Sequence, residues 1–234
     1  MPSPRRLLPD LLPNLRDSGG LRTEDGYLLR HRVLLRSAAL SGLPPATVDV
    51  LAATLGPATY VDLRTDLEVE RDGTPDGLVA RGWHWHRIPL QDKEPGDNAN
   101  GERDVLRRYR AALPAYLGAA RQTAGLLGQG PVVVGCNLGK DRTGLVIALL
   151  LRWLCVDHPE IIEDFTLSNA CLSAGRGLLA PRWRATHEMI TPVSGGLCAA
   201  MLRSVDALGQ DAEPPSRLVR LRRSVLEEAR HATA

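Results

Sequence analysis

The segment that most constrains the fold is Val132-Val133-Val134-Gly135-Cys136-Asn137-Leu138-Gly139-Lys140-Asp141-Arg142-Thr143-Gly144, followed by residues that are apolar nearly all round as far as Cys155. The β-branched run from Pro131 to Val134 suits a central parallel strand. Gly144 to Cys155 suits a buried helix. A loop between such a strand and helix turns free amides inward at the positive end of the helix dipole, which favours a phosphate dianion. Cys136 stands at the base of this cradle, where amides and dipole favour thiolate over thiol. Arg142 closes the loop, and its planar fork matches two phosphate oxygens.

Two other readings of the loop fail on spacing or leave too much unexplained. A nucleotide-binding loop needs four residues between its glycines and Ser or Thr after the lysine. Gly135 and Gly139 enclose three, and Asp141 follows Lys140. Treating Cys136 as a small packing residue leaves the cluster from Gly139 to Gly144 without a purpose.

The flanking sequence places this unit in an α/β protein. Tyr27–Arg30 and Val33–Arg36 are expected to form a short hairpin. Helical spacing over Ala46–Leu55 puts Val48, Leu51 and Leu55 on one face. Ala58–Leu63 and Trp83–Leu90 read as strands, with a charged helix at Asp66–Asp72 between them. Gln91–Asp104 is a polar loop of the kind that serves as a lid or binding element. Glu102–Leu127 reads as helix broken near Pro114, with further helices at Pro159–Leu172, Arg182–Ile190, Gly195–Leu208 and Ser216–Ala229. The expected architecture is a central, mostly parallel sheet flanked by helices, with a helical C-terminal half. One domain over 1–234 is expected, with 1–43 as an N-terminal extension or hairpin and about 175–234 as a helical extension.

Composition narrows the function. With 44% hydrophobic and 24% charged residues and a net charge of +2, no global field calls for nucleic acid or an anionic membrane. Aromatic residues are too few for base-stacking platforms. Leu145–Leu151 is about a third of a membrane span, so no stable membrane insertion is expected. The first residues lack the apolar stretch of a signal peptide, and a cytoplasmic location is expected. Cys155, Cys171 and Cys198 read as packing residues. The four cysteines make neither a disulfide framework nor a metal site. His84 and His86 share a strand face without a third ligand, so they read as an edge or half-exposed face and no metal site; no cofactor is expected. Asp66, Glu68, Glu70 and Asp72 read as a solvated face. Arg217, Arg220, Arg222, Arg223 and Arg230 read as the polar side of an amphipathic helix. Of 29 basic residues only Lys93 and Lys140 are lysines, and one of them lies in the loop. Oligomeric state stays open.

Cys136-x5-Arg142 followed by Thr143-Gly144 resembles the signature of the cysteine-dependent protein tyrosine and dual-specificity phosphatases. The whole run from Cys136 to Gly144 is similar to a bacterial tyrosine-phosphatase-like branch that also hydrolyses phosphoinositides and other phosphate esters. Asn14 to Gly20, Leu35 to Leu43, Asp62-Leu63-Arg64 with Glu68, and Asp164 to Asn169 resemble that branch in the same order. The resemblance implies that Cys136 attacks phosphorus and that water then releases phosphate. Asn137, Leu138, Gly139, Lys140, Asp141 and Arg142 would hold the phosphoryl group. It implies Thr143 as a hydrogen-bond partner of the cysteine sulfur, although an N-cap role fits equally. Asp141 in the loop and Asp92 after the second strand are alternative general acids, with Asp141 placed first. Asp62 is a third, better read as an ion pair or turn cap. Lys140 is a second cation for an additional phosphate or carboxylate on the substrate, or else a solvated or salt-bridged surface lysine. The family usually has His before the nucleophile. Gly135 stands there instead, loosens the backbone and removes a support of the thiolate.

The expected function is phosphomonoester hydrolysis on a phosphotyrosine protein, a phosphoinositide or a small phosphorylated metabolite. The alternative is a catalytically weak or inactive phosphate-binding pseudophosphatase.

Overall fold

In a computed structural model, which describes residues 5–91, 101–179 and 192–228, the three valines form the middle strand of a five-stranded sheet. In chain order the strands are β1 (Arg16–Asp17), β2 (Tyr27–Leu29), β3 (Leu34–Ser37), β4 (Thr59–Asp62), β5 (His84–Arg87), β6 (Val132–Gly135) and β7 (Leu226–Glu228). The large sheet has the order β1-β3-β6-β4-β5. β3, β6, β4 and β5 are parallel, and β1 joins the edge antiparallel. Ser37 and Asp62 sit in register on either side of Gly135, so three strands end together where the loop begins.

Alternation along each strand fills both faces. Leu34, Val61, Val132 and Val134 enter the larger core. Leu35, Tyr60 and Val133 enter the smaller one on the other side. The smaller core is closed by α1 (Pro45–Leu55), through Val48, Leu51 and Leu55, and by Leu78 of α3 (Asp76–Val79). Between them, α2 (Asp66–Asp72) stands at the C-terminal edge of the sheet. The larger core is built from α4 (Glu102–Ala111), α5 (Leu113–Ala124), α6 (Asp141–Trp153), α7 (His158–Ala174), α8 (Gly195–Asp206) and α9 (Ser216–Val225). Helix α6 is buried from Arg142 to Leu151, which explains its lack of a polar face.

Three sequence expectations are corrected. Tyr27–Arg30 and Val33–Arg36 do not pair as a hairpin: β2 pairs with β7, and β3 pairs with β1 and β6. The apolar run of β3 finds a buried place beside β6, which a surface hairpin would not offer. The last predicted helix stops at Val225, and Leu226–Glu228 continue as a strand. Cys155 is not helical but follows α6 with φ +60°, half-buried. The break near Pro114 falls between α4 and α5, where proline starts the new helix. Arg182–Ile190 lies outside the described residues.

Candidate active site

Cys136 directly follows β6 and is 4% exposed. The loop from Cys136 to Lys140 then leads into α6 at Asp141. Its shape is set from outside by a buried polar scaffold. Asn14 Nδ2 donates to the carbonyls of Leu138 and Gly139 at 2.8 and 3.0 Å. Arg36 Nη2 donates to Gly139 O at 2.8 Å. The Ala39 amide donates to Asn137 O at 3.2 Å. In a trans peptide the carbonyl and the next amide point opposite ways. Pinning these carbonyls to the scaffold therefore turns the amides of Leu138, Gly139 and Lys140 away from it. Gly139 has φ +64°, and a Cβ there would lie 2.2 Å from Ser37 O. Only glycine fits that close approach.

The scaffold converges on Asp164 of α7, which accepts from Arg36 Nη1 at 2.7 Å, Arg16 Nε at 3.3 Å and Arg5 Nη1 at 3.1 Å. Arg16 also donates to Asn14 Oδ1 and Ser168 Oγ, and Arg36 also reaches Ser168 Oγ. Burial alone would push the Asp164 carboxyl up, yet the charges of Arg16, Arg36 and Arg5 hold it well below the usual carboxylate range. The motifs at Asn14–Arg16, Arg36 and Asp164–Ser168 thus come together behind one loop.

Arg142 is gripped from the front. Its Nη1 and Nη2 donate to Glu68 Oε2 and Oε1 at 2.6 and 2.7 Å, a bidentate pair that fixes the guanidinium plane. Nη1 also reaches the carbonyls of Leu63 and Leu90 at 3.3 Å each. Glu68 accepts from Asn137 Nδ2 as well. Thr65 and Glu68 form a capping box at the start of α2, so the helix end itself delivers the carboxylate. Burial would raise the Glu68 carboxyl, but the hydrogen bonds and charge of Arg142 and the bonds from Thr65 lower it to about 2. The expectation of a solvated acidic face is therefore wrong for Glu68. The signal that would have found it was in the chain: Thr65-x-x-Glu68 is the capping-box spacing.

The remaining candidates separate clearly. Asp141 opens α6 with its side chain 25% exposed. Its Oδ1 accepts from Tyr109 of α4, and its Oδ2 lies 3.7 Å from Lys140 Nζ. Lys140 is itself only 3% exposed. Thr143 is not the N-cap: Lys140 holds that position and Thr143 is the third helical residue. Thr143 Oγ1 is buried without a hydrogen-bond partner among the described residues, so its bond to the cysteine sulfur is not made here. Asp92 lies outside the described residues. Asp62 is fully buried against Arg64, with Nη2 to Oδ2 at 2.7 Å, accepts from Trp85 Nε1, and caps the Arg64 amide. That is the ion pair and turn cap, not an exposed acid. His84 and His86 lie on the edge strand β5 with ring centroids 6.1 Å apart.

Gly135 is not loose. It pairs with strands on both sides, and a Cβ on it would lie 2.8 Å from Tyr60 Cε2 and 2.9 Å from its hydroxyl. The fully buried Tyr60 ring thus fills the space a side chain at 135 would need, and its hydroxyl accepts from the Leu40 amide at 3.4 Å.

A family model described as "Tyrosine phosphatase family" matches residues 10–232. The chain belongs to the tyrosine phosphatase family. Among relatives of this family member, the triple specificity protein phosphatase PtpB of Mycobacterium tuberculosis is 34% identical over 60% of this chain and 62% of its own length. A protein named as a tyrosine-protein phosphatase from Cupriavidus necator is 30% identical over 85% of this chain and 78% of its own. The chain thus spans less than two thirds of the mycobacterial relative it matches. Among solved structures, that of P. aeruginosa TpbA in complex with pTyr overlays with a TM-score of 0.36 at 18% identity, covering 86% of this chain and 99% of the other. Among the described residues no helix is long and apolar enough to cross a membrane.

Proposed function

We propose that this tyrosine phosphatase family member is a metal-independent phosphomonoester hydrolase of the cytoplasm, working through a phosphocysteine. The observation that supports it most is the loop itself. One short turn joins Cys136 to Arg142, its carbonyls are bound from behind, and Glu68 fixes the guanidinium plane. Nucleophile, cation and amides then act on one phosphoryl group.

In the first step the Cys136 thiolate attacks phosphorus, the S–P bond forms, and the ester P–O bond breaks. The amides of the loop and Arg142 stabilise charge on the equatorial oxygens. Protonated Asp141 gives its proton to the departing oxygen, so the alcohol leaves neutral. In the second step water attacks phosphorus and passes a proton back to Asp141, and the S–P bond breaks to restore the thiolate. Thr143 would turn its hydroxyl to the sulfur as that charge returns. The substrate is a phosphotyrosine protein, a phosphoinositide or a small phosphorylated metabolite.

The test is turnover of an activated aryl phosphate in EDTA by the wild type and by Cys136→Ser. Hydrolysis that vanadate inhibits and that Cys136→Ser abolishes is the expected result. Phosphate binding without turnover of any ester would replace this reading with that of a phosphate-binding pseudophosphatase.

A further inference from the structure

We propose that Tyr109 is a positioning residue that aims the proton of Asp141 at the leaving group, by occupying one oxygen of the carboxyl and leaving the proton to the other. The proposal rests on the phosphatase reading above and on Asp141 as its acid. Tyr109 belongs to α4 and is wholly buried, whereas the Asp141 side chain is a quarter exposed at the mouth of the loop. The Asp141 carboxyl therefore meets the core tyrosine through Oδ1 and the Lys140 ammonium through Oδ2, while part of the side chain stays exposed. The Tyr109 hydroxyl donates to Oδ1. Burial, then the charge of Asp141 and this hydrogen bond, push the Tyr109 hydroxyl well above its ordinary value, so the proton stays on tyrosine and the direction of donation is fixed.

With Oδ1 accepting from tyrosine, Oδ2 carries the acid proton; Lys140 Nζ, 3.7 Å from that oxygen, and the tyrosine bond both favour the carboxylate that remains once the proton is given up. Its transfer to the leaving oxygen accompanies P–O cleavage, and the carboxylate left behind keeps the tyrosine bond. A carboxyl attached to the first turn of α6 would otherwise turn about its side-chain torsions. The bond to a ring locked in the core removes that freedom before substrate arrives, which is the preorganisation that efficient proton transfer needs. The tyrosine is itself held: Tyr116 of α5 meets its ring edge-on at 6.3 Å between centroids, and the Arg108 guanidinium lies 5.8 Å from the ring centroid. Among the described residues, the charged and titratable groups near the pair include Lys140 of the loop, Arg108 of α4 and Tyr116 of α5. Cys198 of α8, whose thiol burial pushes up to about 12, lies in the same core.

Tyr109→Phe keeps the ring and removes only the donor. The full-length variant is compared with wild type on an aryl phosphate with a fast-leaving group and on an alkyl phosphate with a slow-leaving one, across pH. The expected result is a loss of about tenfold in kcat/KM on the alkyl ester, a much smaller loss on the activated ester, and a high-pH limb moved upward. In an Asp141→Asn background the same change should cost nothing further. A uniform loss on both esters with an unchanged pH profile assigns Tyr109 to packing and overturns the proposal, as does full additivity with Asp141→Asn. If Asp141→Asn alone loses no more on the alkyl ester than on the aryl one, the acid lies elsewhere and the proposal falls while the hydrolase reading stands. Absence of metal-free turnover in the wild type would remove both.

Discussion

At the residue scale, Glu68 fixes the plane of the Arg142 guanidinium, and in the proposed mechanism that sets how the arginine meets a phosphate. Two charge-assisted bonds of 2.6 and 2.7 Å hold the guanidinium in one plane, and Glu68 is in turn set by its place at the start of α2. Glu68→Gln should lower kcat/KM by about 10²-fold, the scale on which a small misplacement of a reacting group is felt. The loss should fall on aryl and alkyl phosphates alike, because Arg142 acts on the phosphoryl oxygens and not on the leaving group. Steady-state kinetics on both esters checks this, and a loss confined to the poor leaving group would contradict it. Cys136 and Arg142 were readable from spacing because both belong to one local turn. The capping-box spacing of Thr65 and Glu68 was there to be read, but the pairing of Glu68 with Arg142 was not, because a carboxylate in a helix of alternating charges looks solvated until the helix has a neighbour. Tyr60 behind Gly135 and Tyr109 beside Asp141 were hidden for the same reason: each reaches the loop from a separate element.

At the element scale, the loop is held by Asn14 just before β1, by Arg16 of β1, by Arg36 of β3 and by Asp164 of α7. A buried carboxylate amid arginines gives the fold an acid-sensitive fastening. Asp164 and Glu68 both have lowered carboxyl values in the fold. Groups of that kind contribute stability that is fully present above the ordinary carboxylate range and is lost as pH falls through the folded value. For Glu68 that window runs from the ordinary carboxyl value of 4.5 down to about 2. Thermal denaturation should show the melting temperature falling as pH drops below about 4.5, with a shallower fall in Glu68→Gln. A melting temperature flat across that range would contradict the buried pairings. Asp164→Asn should be destabilising by about 3–5 kcal/mol, because it leaves Arg16 and Arg36 buried without their counter-charge. The motifs around Asn14 and Asp164 were visible in the sequence as resemblances. Their shared purpose was not, since only the fold places residues so far apart in the chain on one carboxylate.

At the scale of the whole molecule, the α/β layering was legible from alternating strand and helix patterns, and the central strand with its buried helix most of all. The pairing of strands was less so. Tyr27–Leu29 and Leu34–Ser37 are close in sequence, yet the former pairs with Leu226–Glu228 and the latter with Val132–Gly135. Local periodicity reports that a segment is a strand but not which partner covers it. Near-neutral net charge does not argue against the proposed anion site, because its two cations, Lys140 and Arg142, lie in one short stretch of the chain.

All three scales meet in the claim that Cys136 carries the phosphoryl group during turnover. Mass spectrometry of protein acid-quenched while hydrolysing an activated aryl phosphate addresses that claim directly. One added phosphoryl group is expected on the peptide containing Cys136, absent from Cys136→Ser and lost when turnover is allowed to finish. Sustained hydrolysis with no adduct on that peptide, or with the adduct on another residue, would contradict it.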